Sequence, residues 1–260
     1  MAFPSDIELL EIQAGRSFDA RGRIADRYGL TIACTGDRSA LWIGADVPDA
    51  LAAELAAVFD GTAGSCDPAR PPPALEPCRR ILATGGRALQ DSAGPSFLFT
   101  GETRFDSDVC IERSDRPARD AVRHGNPGNW HPVEWNELLD GSLGPWTMAL
   151  VDQRVVSICH TPGPVTARGA ECGVWTAPEF RGRGYAAAVT AAWAAIMSPS
   201  GRFLFYATDA DNHSSQQVAR RLNLRLLGWI WRLAAAAEHD AMSVHPLSSL
   251  RCRQDGSRIP

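Results

Sequence analysis

A short turn, Arg181-Gly182-Arg183-Gly184, separates a β-rich stretch at Glu171–Thr176 from a helical pattern at Tyr185–Met197. The helix is read from Tyr185, Val189, Trp193 and Met197, which recur at i, i+4, i+8 and i+12 and share a face. So abrupt a handover from strand to helix asks for a sheet with a helix laid back on it. Glycines at that point let the backbone approach a ligand closely. The first N–H groups of the helix have no intrahelical partner, and the helix dipole favours an anion there. Arg181 and Arg183 add fixed positive charge and forked donors suited to phosphate. The local physics predicts a phosphate or pyrophosphate site. An arginine-rich surface turn is the plainer alternative, but such a turn has no need of glycines interleaved with its arginines.

The flanking sequence has a regular rhythm. Trp146–Val151 is apolar, Asp152-Gln153 marks a turn, and Arg154–Cys159 is β-rich, which together predict an antiparallel hairpin. Phe203–Thr208 predicts a strand, Asn212–Asn223 a second helix and Leu226–Leu233 a last strand. The order from Pro145 is ββ–β–α–β–α–β, with turns short enough for one compact sheet. Upstream, strands at Leu30–Thr35 and Ala40–Ala45 flank Gly36-Asp37-Arg38-Ser39. A helix follows over Pro48–Asp60, where Leu51, Leu55, Val58 and Phe59 share a face and Gly61 stops it. Gly61–Pro77 predicts a loop or linker, Cys78–Gln90 a helix, and Ser96–Thr100 and Asp108–Glu112 strands. The fold class is α+β, a mixed α/β chain. We expect an N-terminal α+β domain of unknown role over 1–104 and the motif-bearing domain over 105–260. Arg251, Arg253 and Arg258 form a polar tail.

Composition excludes several chemistries. The 26 basic residues are all arginine, which rules out a lysine nucleophile, a Schiff base and a P-loop lysine. A net charge of -4 gives no reason to expect nucleic-acid binding. The acidic start lacks the apolar core of a signal peptide, and no apolar run is long enough for a membrane span. The seven cysteines include no CxxC pair, which suggests reduced thiols and a cytoplasmic location. The six histidines lack zinc spacing, so no metal is expected. A dinucleotide fingerprint is formally present in Gly182-x-Gly184-x-x-Ala187, with Asp209 after the next strand. It comes too late for the remaining chain to build a doubly wound domain.

The run Thr176-Ala-Pro-Glu-Phe-Arg-Gly-Arg-Gly-Tyr-Ala resembles the signature of the GNAT superfamily of acyl-CoA N-acyltransferases. The core of that signature is (Q/R)-x-x-G-x-(G/A), matched by Arg181, Gly184 and Ala186. Asn212-His-Ser-Ser215 resembles the family's next motif, in which an Asn starts the second helix. The Thr-x-Pro-x-x-Arg and Asn-x-x-Ser forms are similar to the glycine N-acyltransferase-like branch and related bacterial proteins. The resemblance covers roughly Pro145–Leu233. It implies a GNAT-type fold and acetyl-CoA, or another short acyl-CoA, as cosubstrate. The strand Val174-Trp175-Thr176 would pair with the pantetheine arm. Arg181, Gly182, Arg183, Gly184, Tyr185 and Ala186 would hold the pyrophosphate, and Asn212 and Ser215 would contact the cofactor. A backbone N–H near Val174 or Trp175 would polarise the thioester carbonyl.

The implied reaction must also deprotonate an amine, which is mostly ammonium at neutral pH. Glu171, at the start of the cofactor strand, is the first candidate base, against the alternative of an exposed strand-end carboxylate. His160, at the end of the preceding strand, is the second, against a packed histidine. Many members place a tyrosine seven residues after the helix-starting Asn as acid for the leaving thiolate, and here that position is Ala219. Ser215 is the candidate replacement, against a helix-cap or CoA-contact hydroxyl. The expected function is transfer of an acetyl or short acyl group to the primary amine of a small molecule, by a monomer or homodimer. A non-catalytic acyl-CoA-binding regulatory module and a dinucleotide-binding oxidoreductase are the alternatives.

Overall fold

A computed structural model of the chain describes residues 3–15, 18–25, 28–61, 67, 70–84, 88–163 and 165–235. The expected polar tail and part of the expected 61–77 loop lie outside them. The elements are α1 (Asp6–Ala14), β1 (Tyr28–Cys34), β2 (Ser39–Ile43), α2 (Asp49–Asp60), α3 (Leu75–Leu82), β3 (Leu89–Leu98), β4 (Cys110–Arg113) and α4 (Asp120–Arg123). They continue with α5 (Pro132–Leu139), β5 (Trp146–Val151), β6 (Arg154–His160), β7 (Gly169–Thr176), α6 (Tyr185–Met197), β8 (Phe203–Ala207), α7 (His213–Arg221) and β9 (Arg225–Ala235). The class is mixed α/β, as the alternation of patterns implies.

The chain divides into two compact units. The first holds the described residues up to Phe97 together with Ala207–His213 and 226–235. It draws on the far end of the sequence because β9 pairs antiparallel with β1, with Ile32 opposite Trp231. On its other edge β1 pairs with β2, with Ile32 opposite Leu41. Leu30, Ile32 and Cys34 alternate onto one face of β1 and pack with Leu55 of α2, Leu75 and Cys78 of α3, and Leu233 of β9. Pro48 caps α2 with φ -55, and Gly61 ends it. Two elements differ from expectation. The sequence reading gave no helix at the start, yet α1 forms there, and the Glu8 carboxylate accepts the Ser5 N–H at 2.7 Å. The second helix lies earlier than Cys78–Gln90, because Leu75 and Cys78 supply its buried face. The residues from Leu89 form β3 instead, and Arg79 of α3 grips Asp91 of β3 with two hydrogen bonds.

The second unit, Leu98–Tyr206 with Ser214–Arg225, carries the signature turn. Its strands run in the order β8-β7-β6-β5-β4. β4, β5, β6 and β7 pair antiparallel in turn, while β7 and β8 are parallel. A doubly wound domain needs a run of parallel strands, so this arrangement does not support the dinucleotide reading. Helix α6 packs on β5, β6 and β7. Thr147 Oγ1 of β5 donates to the Val189 carbonyl at 2.6 Å, and the Trp193 indole donates to Thr161 Oγ1 at 3.1 Å. A separate core joins Val122, Trp130, Trp135 and Leu138 to Trp146, Met148, Ile158 and Trp175.

Candidate functional site

Strand β7 changes partners halfway along. Gly169–Cys172 pair with Phe203–Tyr206 of β8, whereas Gly173–Thr176 pair with Ser157–His160 of β6. β8 therefore has no register with the second half of β7. In a strand, the N–H and C=O of alternate residues point to opposite edges. The Ala177 N–H donates to the Val156 carbonyl at 2.9 Å, so the backbone of Trp175 faces β6 as well. By the same alternation, the backbones of Val174 and Thr176 face the edge that β8 has left. Val174 and Thr176 line a pocket at this edge. Trp175 is turned away from it: its carbonyl accepts the Ser157 hydroxyl at 2.9 Å, and its ring is buried in the tryptophan-rich core.

After β7, a short helical turn at Pro178–Phe180 leads into the arginine and glycine residues. Gly182 and Gly184 adopt left-handed φ values of 79° and 88°, a conformation that costs other L-residues about 1–2 kcal/mol. A Cβ on Gly182 would meet nothing within 4 Å, so its backbone is open to approach. One on Gly184 would meet the Phe105 ring at 3.2 Å. Gly184 is the N-cap of α6, and the first turn of that helix has no acidic residue to offset its dipole. Arg181 Nε donates to the Thr176 carbonyl at 3.3 Å. Arg183 donates to the Glu179 carbonyl at 3.3 Å and lies over the Phe180 ring at 5.2 Å. The ring also carries Arg154 at 5.7 Å, so Phe180 braces two cations beside the turn.

The pocket runs from Val174 and Thr176 past Gly182, Gly184 and Tyr185. Its far wall is α7, through Ser214, Ser215, Gln217 and Arg221. These positions repeat at helical spacing, a signal that marks Arg221 although the sequence reading passed over it. Phe105 was also missed, and no local pattern joins it to Gly184. Ala219 is fully buried. Asn212 precedes α7, with its N–H on the Asp209 carbonyl at 3.1 Å, and belongs to the first unit.

The base candidates stand on the opposite face of β7 from Val174 and Thr176. Glu171 is half-buried and pairs with Phe205. His160 pairs with Gly173, two residues along β7 from Glu171, so both carry side chains on the Trp175 face. His160 is 4% exposed and meets the Trp130 ring edge-on at 5.0 Å. Burial pushes its pKa down to about 4, opposed in part by the Thr161 backbone. The ring is thus neutral near pH 7 and a weak proton acceptor. Among the described residues, no three His, Cys, Asp or Glu side chains gather as a metal site. No described helix is long and apolar enough to cross a membrane.

Residues 111–225 match the family model for an acetyltransferase (GNAT) domain. The GNAT assignment belongs to this segment of the chain, residues 111–225. Acyl transfer is therefore the general chemistry of the site, and acetyl-CoA is the cosubstrate that GNAT acetyltransferases use. The match spans β4 to α7 and so includes the divided strand, the turn and the pocket. Among solved structures, a GCN5-related N-acetyltransferase from Kribbella flavida is 17% identical, covering 93% of this chain and 98% of its own, with a TM-score of 0.47. A GNAT-family acetyltransferase from Colwellia psychrerythraea is 9% identical, covering 91% and 98%, with a TM-score of 0.46. A putative GNAT acetyltransferase from Novosphingobium aromaticivorans is 20% identical, covering 67% and 73%, with a TM-score of 0.45. No curated protein matches the chain.

Proposed function

We propose that this GNAT domain transfers an acetyl or other short acyl group from acyl-CoA to the primary amine of a small molecule, by direct attack of the amine on the thioester. The observation that carries the reading is the partner change in β7. It turns two backbone positions, Val174 and Thr176, toward an edge that β8 has left, where an extended acyl-pantetheine arm would pair as a strand does, displacing Arg181 from the Thr176 carbonyl where needed. The glycine turn and the N-terminus of α6 fit the pyrophosphate that must follow, and Arg181, Arg183 and Arg221 supply compensating charge. The Val174 N–H suits polarisation of the thioester carbonyl. Glu171 is the better placed of the two candidates, since His160 is only 4% exposed and packed against Trp130. It would accept the amine proton directly or through water. Ser215, in the pocket wall, suits the departing sulfur. A cytoplasmic monomer or homodimer, with no nucleic-acid or membrane partner, belongs to the same proposal.

Titration calorimetry with CoA and acetyl-CoA tests the binding half. CoA binds, and Gly184→Ala weakens it about tenfold or more, because the turn must open against Phe105. Absence of CoA binding to the native chain would falsify the reading. Thiol release from acetyl-CoA with a panel of amines then separates an enzyme from a regulatory CoA-binding module. With an active amine, Glu171→Gln lowers kcat by about 100-fold or more. An unchanged rate removes Glu171 as the base.

A further inference from the structure

We propose that the rung between Cys172 of β7 and Tyr206 of β8 is the stop that sets acyl length in this domain, admitting acetyl and propionyl groups and turning longer chains away. The inference rests on the acyl-CoA reading above and names which acyl donors that site accepts. Its direction follows from the order of the site along β7. The pyrophosphate belongs at Arg181–Ala186, beyond the C-terminal end of the strand, and the pantetheine arm pairs at Thr176 and then at Val174. An arm laid in that order points its acyl end toward Cys172. There β7 meets β8, and Cys172 opposite Tyr206 is the last rung of their register before the strands part. The gap that receives the arm is thus a wedge with this rung at its apex.

Three boundaries enclose the acyl group. In the plane of the sheet, the β7–β8 backbone ladder begins at the rung. On the pocket face, Cys172 shares the side of β7 with Val174, and Tyr206 shares it as the cross-strand partner of Cys172. Cys172 is 3% exposed and Tyr206 1%, and the pocket lining reaches Val174 and Ser215 but neither of these two. Helix α6 covers the same face, since Thr147, in line with Cys159 and Val174, donates to the Val189 carbonyl. On the other face stands Glu171, where the amine has to approach, so an acyl chain turned that way would occupy the acceptor's path. Burial raises both the Cys172 thiol and the Tyr206 phenol above their ordinary ranges, so neither is charged near pH 7 and the stop is steric. A thioester carbonyl held by the Val174 N–H puts the acyl carbon level with that residue. Cys172 lies two residues further, about 6.6 Å along the strand, and a carbon contact takes about 3.5–4.0 Å of that. About 3 Å remain, room for two C–C bonds of about 1.5 Å. Acetyl uses one of them and propionyl both.

The test needs no acceptor amine. Titration calorimetry compares CoA with acetyl-, propionyl-, butyryl- and hexanoyl-CoA. On the native chain, acetyl- and propionyl-CoA bind within about threefold of each other, and the two longer donors bind about tenfold more weakly or worse. Cys172→Ala removes one sulfur atom, so it brings butyryl-CoA to within about threefold of acetyl-CoA and leaves hexanoyl-CoA weak. Tyr206→Ala opens more space and brings hexanoyl-CoA back as well. CoA without an acyl group binds the native chain and both variants within about twofold, which excludes a collapsed pocket. Should Tyr206→Ala fail to fold, Cys172→Ala decides. Hexanoyl-CoA that binds the native chain as tightly as acetyl-CoA overturns the inference, and so does a discrimination that Cys172→Ala leaves unchanged. Either result leaves the proposed function standing. Absence of CoA binding to the native chain sinks both.

Discussion

His160 is enclosed by sheet and aromatic rings, and its neutrality has a measurable consequence. Its folded pKa of about 4 lies below the ordinary 6.5, so in that interval the unfolded chain binds the proton first. The stability tied to neutral His160 is fully present above about pH 6.5 and is lost as pH falls through about 4. A shift of that size corresponds to about 3 kcal/mol. Urea unfolding at pH 7 and again near pH 4 should show the native chain losing that much more stability than His160→Phe, which has no proton to take up. Equal losses would mean that the folded pKa of His160 is not depressed, which would restore it as a candidate base. Sequence suggests the histidine but not its seal, because Trp130 reaches it from a distant loop.

At the scale of elements, β7 makes the sharpest prediction. The Trp175 amide is already paired to β6, whereas Val174 and Thr176 face the edge that β8 leaves. Hydrogen exchange with and without CoA should therefore slow at Val174 and Thr176 and stay nearly unchanged at Trp175. Equal slowing at all three would point to general rigidification and remove the strand-like docking. Much of this architecture was legible in the sequence. Helix α6 keeps its predicted ends because its apolar spacing and Gly184 are local signals. The β5–β6 hairpin follows from alternating runs around Asp152-Gln153, both at positive φ. The misplaced α3 and the partner change in β7 were not legible. Each is decided by which distant segment takes up the backbone hydrogen bonds or the buried face, and no local pattern records that choice.

The molecule as a whole joins a unit with a GNAT site to a unit that borrows β9 from the far end of the chain. CoA binding to the native fold should stabilise it by mass action. At a free concentration about 100 times its Kd, CoA should add about 2.7 kcal/mol to the stability read from urea midpoints. No shift at that occupancy would mean that the unfolded chain binds CoA equally well, contrary to a site built by the fold. The divided strand also bears on inheritance. In the proposed docking, positions 174 and 176 would meet the ligand through main-chain atoms that nearly every amino acid carries, so mutation could rewrite both side chains without removing that pairing. A descendant of this chain could drift far in sequence at β7 and still present the same edge, so the opening between β7 and β8 is a more durable mark of ancestry than the letters along it.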